Sequence, residues 1–159
     1  MTTAPRARRP AAAKARAGAL FWGGLASGDL VVVDSAPLIY WLDDHPTFAP
    51  LFEGLFDAHA AGLLQIAIST IALAEVLTGP FKHGRDALAK RYEKALSGFD
   101  VMPVSAEIAV TAARLRAGTG LRLPDALQAA TALEAGAAAL VTHDRDFSRL
   151  HGLRVLYGT

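Results

Sequence analysis

The chain has 159 residues, of which 52% are hydrophobic, so it is long and apolar enough for one domain with a buried core, which excludes a disordered chain. It has no cysteine, which excludes disulfide scaffolds, thiolate zinc sites and thiol nucleophiles and fits our expectation of a cytoplasmic protein. The formal net charge of +1 is unevenly distributed, because five of the 16 basic residues lie within the first sixteen positions, where there is no acidic residue.

The N-terminal part differs in composition from the rest. Residues 1–29 are basic at first and then rich in Ala and Gly, and we predict a poorly ordered extension with at most a short helix on the domain edge. The folded domain is predicted over residues 30–159. A membrane span needs about 18–20 apolar residues, and the nearest candidate, residues 17–33, is interrupted by glycines and by Asp29. No membrane association is therefore expected.

Strands and helices alternate along the predicted domain. The β-branched run over residues 30–33 is typical of a buried strand, and Asp34-Ser35 followed by Pro37 predicts a helix over 36–42. The later predicted elements, in chain order, are a helix over 51–61, a strand over 64–68, a helix over 71–77 that Gly79 and Pro80 stop, a helix over 85–96, a strand over 101–104, helices over 106–117 and 126–135, and strands over 139–142 and 153–156. This order predicts an α/β fold with a mostly parallel sheet of four to five strands between helices.

Four acidic residues are predicted near the carboxyl ends of these strands, where parallel α/β sheets gather their functional groups. Asp34 directly follows the first strand, Glu75 lies early in the helix after the second, Asp125 opens a helix, and Asp144 lies two residues after the strand ending at Thr142. Three of them have ordinary structural alternatives as a helix cap, a first-turn acid or a turn residue. Glu75 is different, because apolar residues surround it in sequence and its carboxylate must be exposed, paired or bound to metal.

A shared site for these acids has a chemical requirement. Clustered carboxylates raise one another's pKa unless a cation neutralises them, and no Lys or Arg occurs between residues 17 and 81. Oxygen ligands alone favour Mg²⁺ or Mn²⁺. Zinc is disfavoured, because there is no cysteine and the five histidines have no ligand spacing.

Four segments of the chain resemble the motifs of one family, the PIN domains. The matching segments occur in the family's order and are VVVDSAPLI at 31–39, STIALAEV at 69–76, LPDALQAA at 123–130 and LVTHDRDF at 140–147. The resemblance spans residues 30–156, and among PIN proteins it is greatest to the VapC-type toxins of bacterial toxin–antitoxin pairs.

This resemblance implies a Mg²⁺- or Mn²⁺-dependent endoribonuclease that forms a homodimer and is inhibited by a small antitoxin. Metal-binding and catalytic roles would fall on Asp34, Glu75, Asp125 and Asp144, with metal-activated water attacking the phosphodiester. Asp144 is chosen over Asp146 because it lies at the family's position, and Asp146 is expected beside the site as a cap of the next turn.

Two hydroxyls and several cations are expected near the acids. Ser35 and Thr142 would hold a water or a ligand carboxylate, or only cap the turns that follow them. Arg122 and Arg145 adjoin the acidic motifs, and we expect them to contact RNA phosphates. The basic cluster between Lys82 and Lys94 is interpreted as solvated helix surface.

Other classes of protein fit less well. A phosphoacceptor receiver domain needs two acids after the first strand and a late lysine, and a phosphatase with an Asp-x-Asp nucleophile needs an acid where Ala36 stands. A catalytically silent RNA-binding or scaffold module on the same fold is the remaining alternative, and the presence of all four acids argues against it.

Overall fold

One parallel sheet organises residues 20–158, the part of the chain that the computed structural model describes. Its strands are β1 (Leu30–Val33), β2 (Gln65–Ser69), β3 (Asp100–Met102), β4 (Ala139–Thr142) and β5 (Val155–Tyr157). They lie in the order β3-β2-β1-β4-β5, and every neighbouring pair is parallel. The predicted α/β fold is therefore confirmed, with five strands.

Within residues 20–158, six α-helices cover the two faces of the sheet. They are α1 (Ser35–Leu42), α2 (Glu53–Ala60), α3 (Thr70–Lys82), α4 (Asp86–Leu96), α5 (Ala106–Thr119) and α6 (Leu123–Glu134), with short 3₁₀ turns at Trp22–Gly24, Ala49–Leu51 and Arg145–Arg149. None of the helices within residues 20–158 is long and apolar enough to cross a membrane.

The central strand β1 divides the hydrophobic core into two layers, because successive side chains of a strand point to opposite faces. Val31 and Val33 pack in the cluster under α1 to α4, and Val32 packs in the cluster under α5 and α6. All three valines are fully buried. With both faces covered, the carboxyl edge of the sheet is where polar groups can meet solvent.

Several of the predicted element ends were wrong, and a proline explains those of the third helix and the third strand. Helix α3 continues past Gly79 and Pro80 to Lys82. A proline removes one backbone hydrogen bond from a helix, but Pro80 lies in the last turn of α3, where this loss costs little and its buried ring packs. The third strand ends at Met102 instead of residue 104, since Pro103 cannot donate to the ladder.

Part of the predicted N-terminal extension packs against the domain. Leu25 is fully buried in the core, and the Trp22 indole Nε1 donates a hydrogen bond of 2.8 Å to the carbonyl oxygen of Leu51. Residues 1–19, which include the five basic residues of the extension, lie outside the described part of the chain. The domain boundary at residue 30 stays a prediction.

Candidate metal centre

Asp34 is a buried carboxylate at the carboxyl end of β1, and it caps α1. Its Oδ1 accepts a hydrogen bond of 2.8 Å from the backbone N–H of Ser35, and its Oδ2 accepts one of 2.8 Å from the Thr142 hydroxyl. Burial, helped by the charges of Glu75 and Asp125, raises the pKa of Asp34 to about 6 against the lowering effect of the two hydrogen bonds. Asp34 is thus a polar group buried among like charges.

Glu75 lies on the exposed side of α3, and its pKa is raised by partial burial. Its Oε1 lies 3.5 Å from the Gln128 Nε2, which lowers the pKa, and the charge of Asp125 raises it. The Ser35 hydroxyl, at 3.4 Å from the Asp34 Oδ1, also lowers the pKa of Glu75. Ser35 therefore lies between the first two acids.

Asp125 is a buried acid in the first turn of α6, and its pKa is raised by burial. The Arg122 guanidinium Nε donates to the Asp125 Oδ2 at 3.0 Å and lowers this pKa, while the charges of Asp144 and Asp146 raise it. The Arg122 side chain is 74% exposed. Arg122 therefore contacts the acidic group directly while most of its surface faces solvent.

Asp144 follows β4 and is tied to Asp34 through Thr142. The Thr142 hydroxyl, which donates to Asp34, also accepts a hydrogen bond of 3.0 Å from the Asp144 backbone N–H. The Asp144 Oδ1 in turn accepts from the Asp146 N–H at 2.8 Å. The predicted cap was therefore placed on the wrong residue: Asp144 caps this turn, because only its side chain points back over the first N–H groups, while Asp146 lies 3.5 Å from Arg149 on the surface.

The structure also places Arg145 and the basic residues between Lys82 and Lys94. The Arg145 guanidinium lies 4.2 Å from the centre of the Tyr157 ring, a cation–π contact at the end of β5, and the side chain is exposed. The basic residues between Lys82 and Lys94 are all exposed, as their interpretation as solvated helix surface predicted.

Gln128 is the residue of this region that the sequence analysis missed. It is fully buried, its Oε1 has no hydrogen-bond partner, and its amide nitrogen reaches Glu75. It follows Asp125 by three residues, a spacing that places both side chains on one face of α6. Gln128 could have been predicted as a site residue from its three-residue spacing to Asp125.

The donor chemistry fits a hard divalent cation. Asp34, Glu75, Asp125 and Asp144 come from four separate segments, their charges act on one another's pKa, and Arg122 makes the one ion pair to them within residues 20–158. Oxygen donors in excess of positive charge are what Mg²⁺ and Mn²⁺ prefer. As they are placed, no three acidic or histidine side chains in the described residues are grouped closely enough to enclose an ion.

Comparison with known proteins gives a family match over most of the chain. The family model of the PIN domain matches residues 31–153. A comparison with curated protein sequences found no significant match.

Several solved structures are similar to this chain. A toxin–antitoxin complex from Klebsiella pneumoniae contains a chain that is 31% identical, with a TM-score of 0.58, and the match covers 79% of this chain and 95% of that one. VapBC2 from Rickettsia felis, bound to a DNA fragment from its promoter, gives a TM-score of 0.69 at 23% identity over 82% of this chain and 99% of that one. VapC20 of Mycobacterium tuberculosis is described as a toxin that cleaves the sarcin–ricin loop. It gives a TM-score of 0.61 at 16% identity, and the match covers 74% of this chain and 92% of that one. The last two show a shared fold.

Proposed function

This chain belongs to the PIN domain family, and we propose that it is a divalent-metal-dependent endoribonuclease, the toxin of a type II toxin–antitoxin pair acting in the cytoplasm. The observation that carries the proposal is the set of four carboxylates around Asp34 at the carboxyl edge of the sheet. Asp34 is buried there, and its pKa is raised to about 6. A protein that kept these groups only for stability would gain by replacing them with neutral residues.

Asp34, Glu75, Asp125 and Asp144 would together hold Mg²⁺ or Mn²⁺. When bound, such an ion supplies an activated water and positive charge against the negative charge that develops on a cleaved phosphodiester. The chain's own residues fix the donors. Thr142 and the Ser35 N–H hold the two Asp34 oxygens in place, and the same Thr142 hydroxyl fixes the turn that carries Asp144.

The cations at the rim would position the substrate. The Arg122 Nε is engaged by Asp125, and the exposed remainder of its guanidinium can donate to an RNA phosphate. Arg145 lies on the Tyr157 ring with its side chain exposed, which suits a second phosphate contact.

A small antitoxin and a second copy of the chain are the proposed protein partners. The similar chain from Klebsiella pneumoniae was solved as part of a toxin–antitoxin complex, which supports an antitoxin partner. The proposed homodimer contact would cover the exposed apolar side chains of Val110 on α5 and Leu123 at the start of α6, which are 53% and 50% exposed.

The proposed activity is tested by incubating purified protein with labelled total RNA in Mn²⁺, in Mg²⁺ and in EDTA. We expect cutting with either metal and none in EDTA, because the attacking water of the proposed reaction is activated by the metal that the carboxylates would hold. Binding of RNA without cutting in all three conditions would contradict the proposal and favour a catalytically silent RNA-binding module.

Replacement of Thr142 by valine tests how Asp34 is positioned. Valine keeps the volume of this buried side chain but removes the hydroxyl that joins Asp34 to the Asp144 backbone. We expect kcat/KM for RNA cleavage to fall about 10- to 100-fold, as is usual for residues that orient metal ligands. Thr142→Ser should recover most of the activity. Equal loss in Thr142→Ser and Thr142→Val would contradict a role for the hydroxyl.

Replacement of Arg122 by alanine tests the phosphate contact. The affinity for RNA should fall, and the slope of log affinity against log salt should decrease by about 1, because one phosphate contact is lost. Arg114→Ala, which removes an exposed cation from α5, serves as the control with a smaller change. An unchanged salt slope in Arg122→Ala would show that this arginine neutralises Asp125 without contacting RNA.

A further inference from the structure

A cavity of about 250 Å³ opens beside Glu75 and runs between α1, α3 and α4. Glu75 lines it, so the cavity is continuous with the acidic group described above. Its apolar walls are formed by side chains from the three helices, among them Ile39, Val76 and Leu88. With a volume of about 250 Å³, it can accept one flat group rather than an elongated helix.

The lining of the cavity includes a polar pair. The buried Tyr92 donates a hydrogen bond from its hydroxyl to the Oδ1 of Asp43, which is exposed. This bond fixes the Asp43 carboxylate, whose second oxygen can still accept a hydrogen bond. A carboxylate held in this way beside apolar side chains is suited to the N–H groups on the edge of a nucleobase.

The mouth of the cavity carries positive charge. Arg85 lines it with an exposed side chain, and among residues 20–158 the ion pairs involve Arg122 and Arg149 but not Arg85. His83 lies next to it, with its Nδ1 at 2.9 Å from the Gly79 carbonyl oxygen. A carbonyl oxygen only accepts, so the His83 Nδ1 is the protonated nitrogen, and Nε2 can accept a hydrogen bond but not donate one. Of these two side chains, the Arg85 guanidinium is the one that suits a phosphate.

We propose that this cavity is the subsite for one nucleotide next to the scissile phosphate of a single-stranded RNA, with Arg85 on its phosphate and Asp43 on the polar edge of its base. The inference rests on the proposed ribonuclease function and extends it to substrate selection. Continuity with Glu75, an apolar slot for a base and a cation at the mouth are the three observations that favour RNA over a peptide. The sequence analysis interpreted Arg85 as part of the solvated basic cluster between Lys82 and Lys94. In this proposal Arg85 instead binds a phosphate.

Two variants alter the cavity without touching the acids. Gly79 lines it, and a Cβ built there meets no atom within 4 Å, so Gly79→Leu adds bulk without a clash and favours the helix. Gly118 in α5 is equally open, which makes Gly118→Leu the matched control. Arg85→Ala removes the cation at the mouth, and Arg91→Ala removes a neighbouring exposed cation on α4 that does not line the cavity.

The experiment measures binding of fluorescein-labelled single-stranded RNA of mixed sequence to these variants in an Asp34→Asn background, where RNA stays intact. Arg85→Ala should weaken binding about tenfold, the worth of one charge-assisted hydrogen bond. Gly79→Leu should also weaken binding, because its side chain occupies the space of the base. The two controls should change it by less than about twofold, through general charge alone. Equal affinity of Gly79→Leu and Gly118→Leu for RNA would overturn the proposal. It would also be overturned if Gly79→Leu and Arg85→Ala bound RNA like the protein with the unaltered cavity but were no longer inhibited by the partner antitoxin.

Sequencing of the cut ends separates this inference from the function on which it rests. With the Asp34 carboxylate present, Gly79→Leu should change the base preference at one position beside the cut, while Gly118→Leu should not. Failure of the proposed function would appear as no cutting by the wild-type protein. Failure of the subsite alone would appear as active protein whose base preference and RNA affinity are the same in the two glycine variants.

Discussion

Asp34→Asn should abolish metal-dependent RNA cleavage, with a loss of about a thousandfold, the upper end of what removal of one electrostatic group costs an active site. Asp34 is the buried acid on which the charges of Glu75 and Asp125 act and to which Thr142 is bonded. Asparagine has the same shape but no negative charge, so the loss would follow from charge. Asp57→Asn, at an exposed position of α2, is the matched control and should cut RNA like the wild type.

The same variant should not lose folding stability in metal-free buffer. Folding raises the pKa of Asp34 from 3.8 to about 6, so the folded state binds the proton more tightly than the unfolded one. The free energy of unfolding is therefore unaffected below pH 3.8 and decreases as the pH rises through about 6. At neutral pH the ionised carboxylate costs up to about 3 kcal/mol, part of which Asn recovers. A Tm for Asp34→Asn well below that of the wild type in EDTA would contradict this.

Leu25→Ala should lower the free energy of unfolding by about 2–5 kcal/mol, the usual cost of truncating a fully buried leucine. Leu25 lies in a segment that its composition assigned to the extension, yet its side chain is fully buried in the core. Leu20→Ala is the matched control, because Leu20 is 69% exposed and the same truncation should cost less than about 0.5 kcal/mol there. Urea unfolding of both variants gives the comparison.

Equal stability of the two leucine variants would show that residues 20–29 add nothing to the domain and that the boundary at residue 30 is right. A loss confined to Leu25→Ala would move the boundary towards the N-terminus. The two outcomes also decide where a shortened form of this chain can begin without losing its core.

The fold could be predicted because its signals are local. The β-branched run at 30–33, the cap at Asp34 and the alternation of strands with helices each depend on neighbouring residues, and all agree with the structure. Leu25 could not be predicted in this way. A single leucine among glycines carries no periodic signal, and it packs in a core cluster whose other members, such as Phe52 and Leu55, lie far from it in sequence.

Only part of the acidic site could be predicted from the sequence, because its side-chain contacts depend on residues that lie far apart in the chain. Strand ends showed which carboxylates would approach one another, because the carboxyl ends of parallel strands share one edge. The side-chain contacts between these residues could not be predicted from the sequence. That Arg122 turns back onto Asp125, that Thr142 joins Asp34 to Asp144, and that Asp144 rather than Asp146 caps the turn all depend on rotamers set by packing.

The most direct test of the metal centre is calorimetric titration of Mn²⁺ into wild-type protein, Asp34→Asn and Asp57→Asn. The carboxylates around Asp34 predict binding to the wild type and to Asp57→Asn and a loss of binding in Asp34→Asn, because the removed charge is the buried one at the centre of the group. Mn²⁺ binding of the same affinity in all three proteins would contradict the account and place the ion elsewhere.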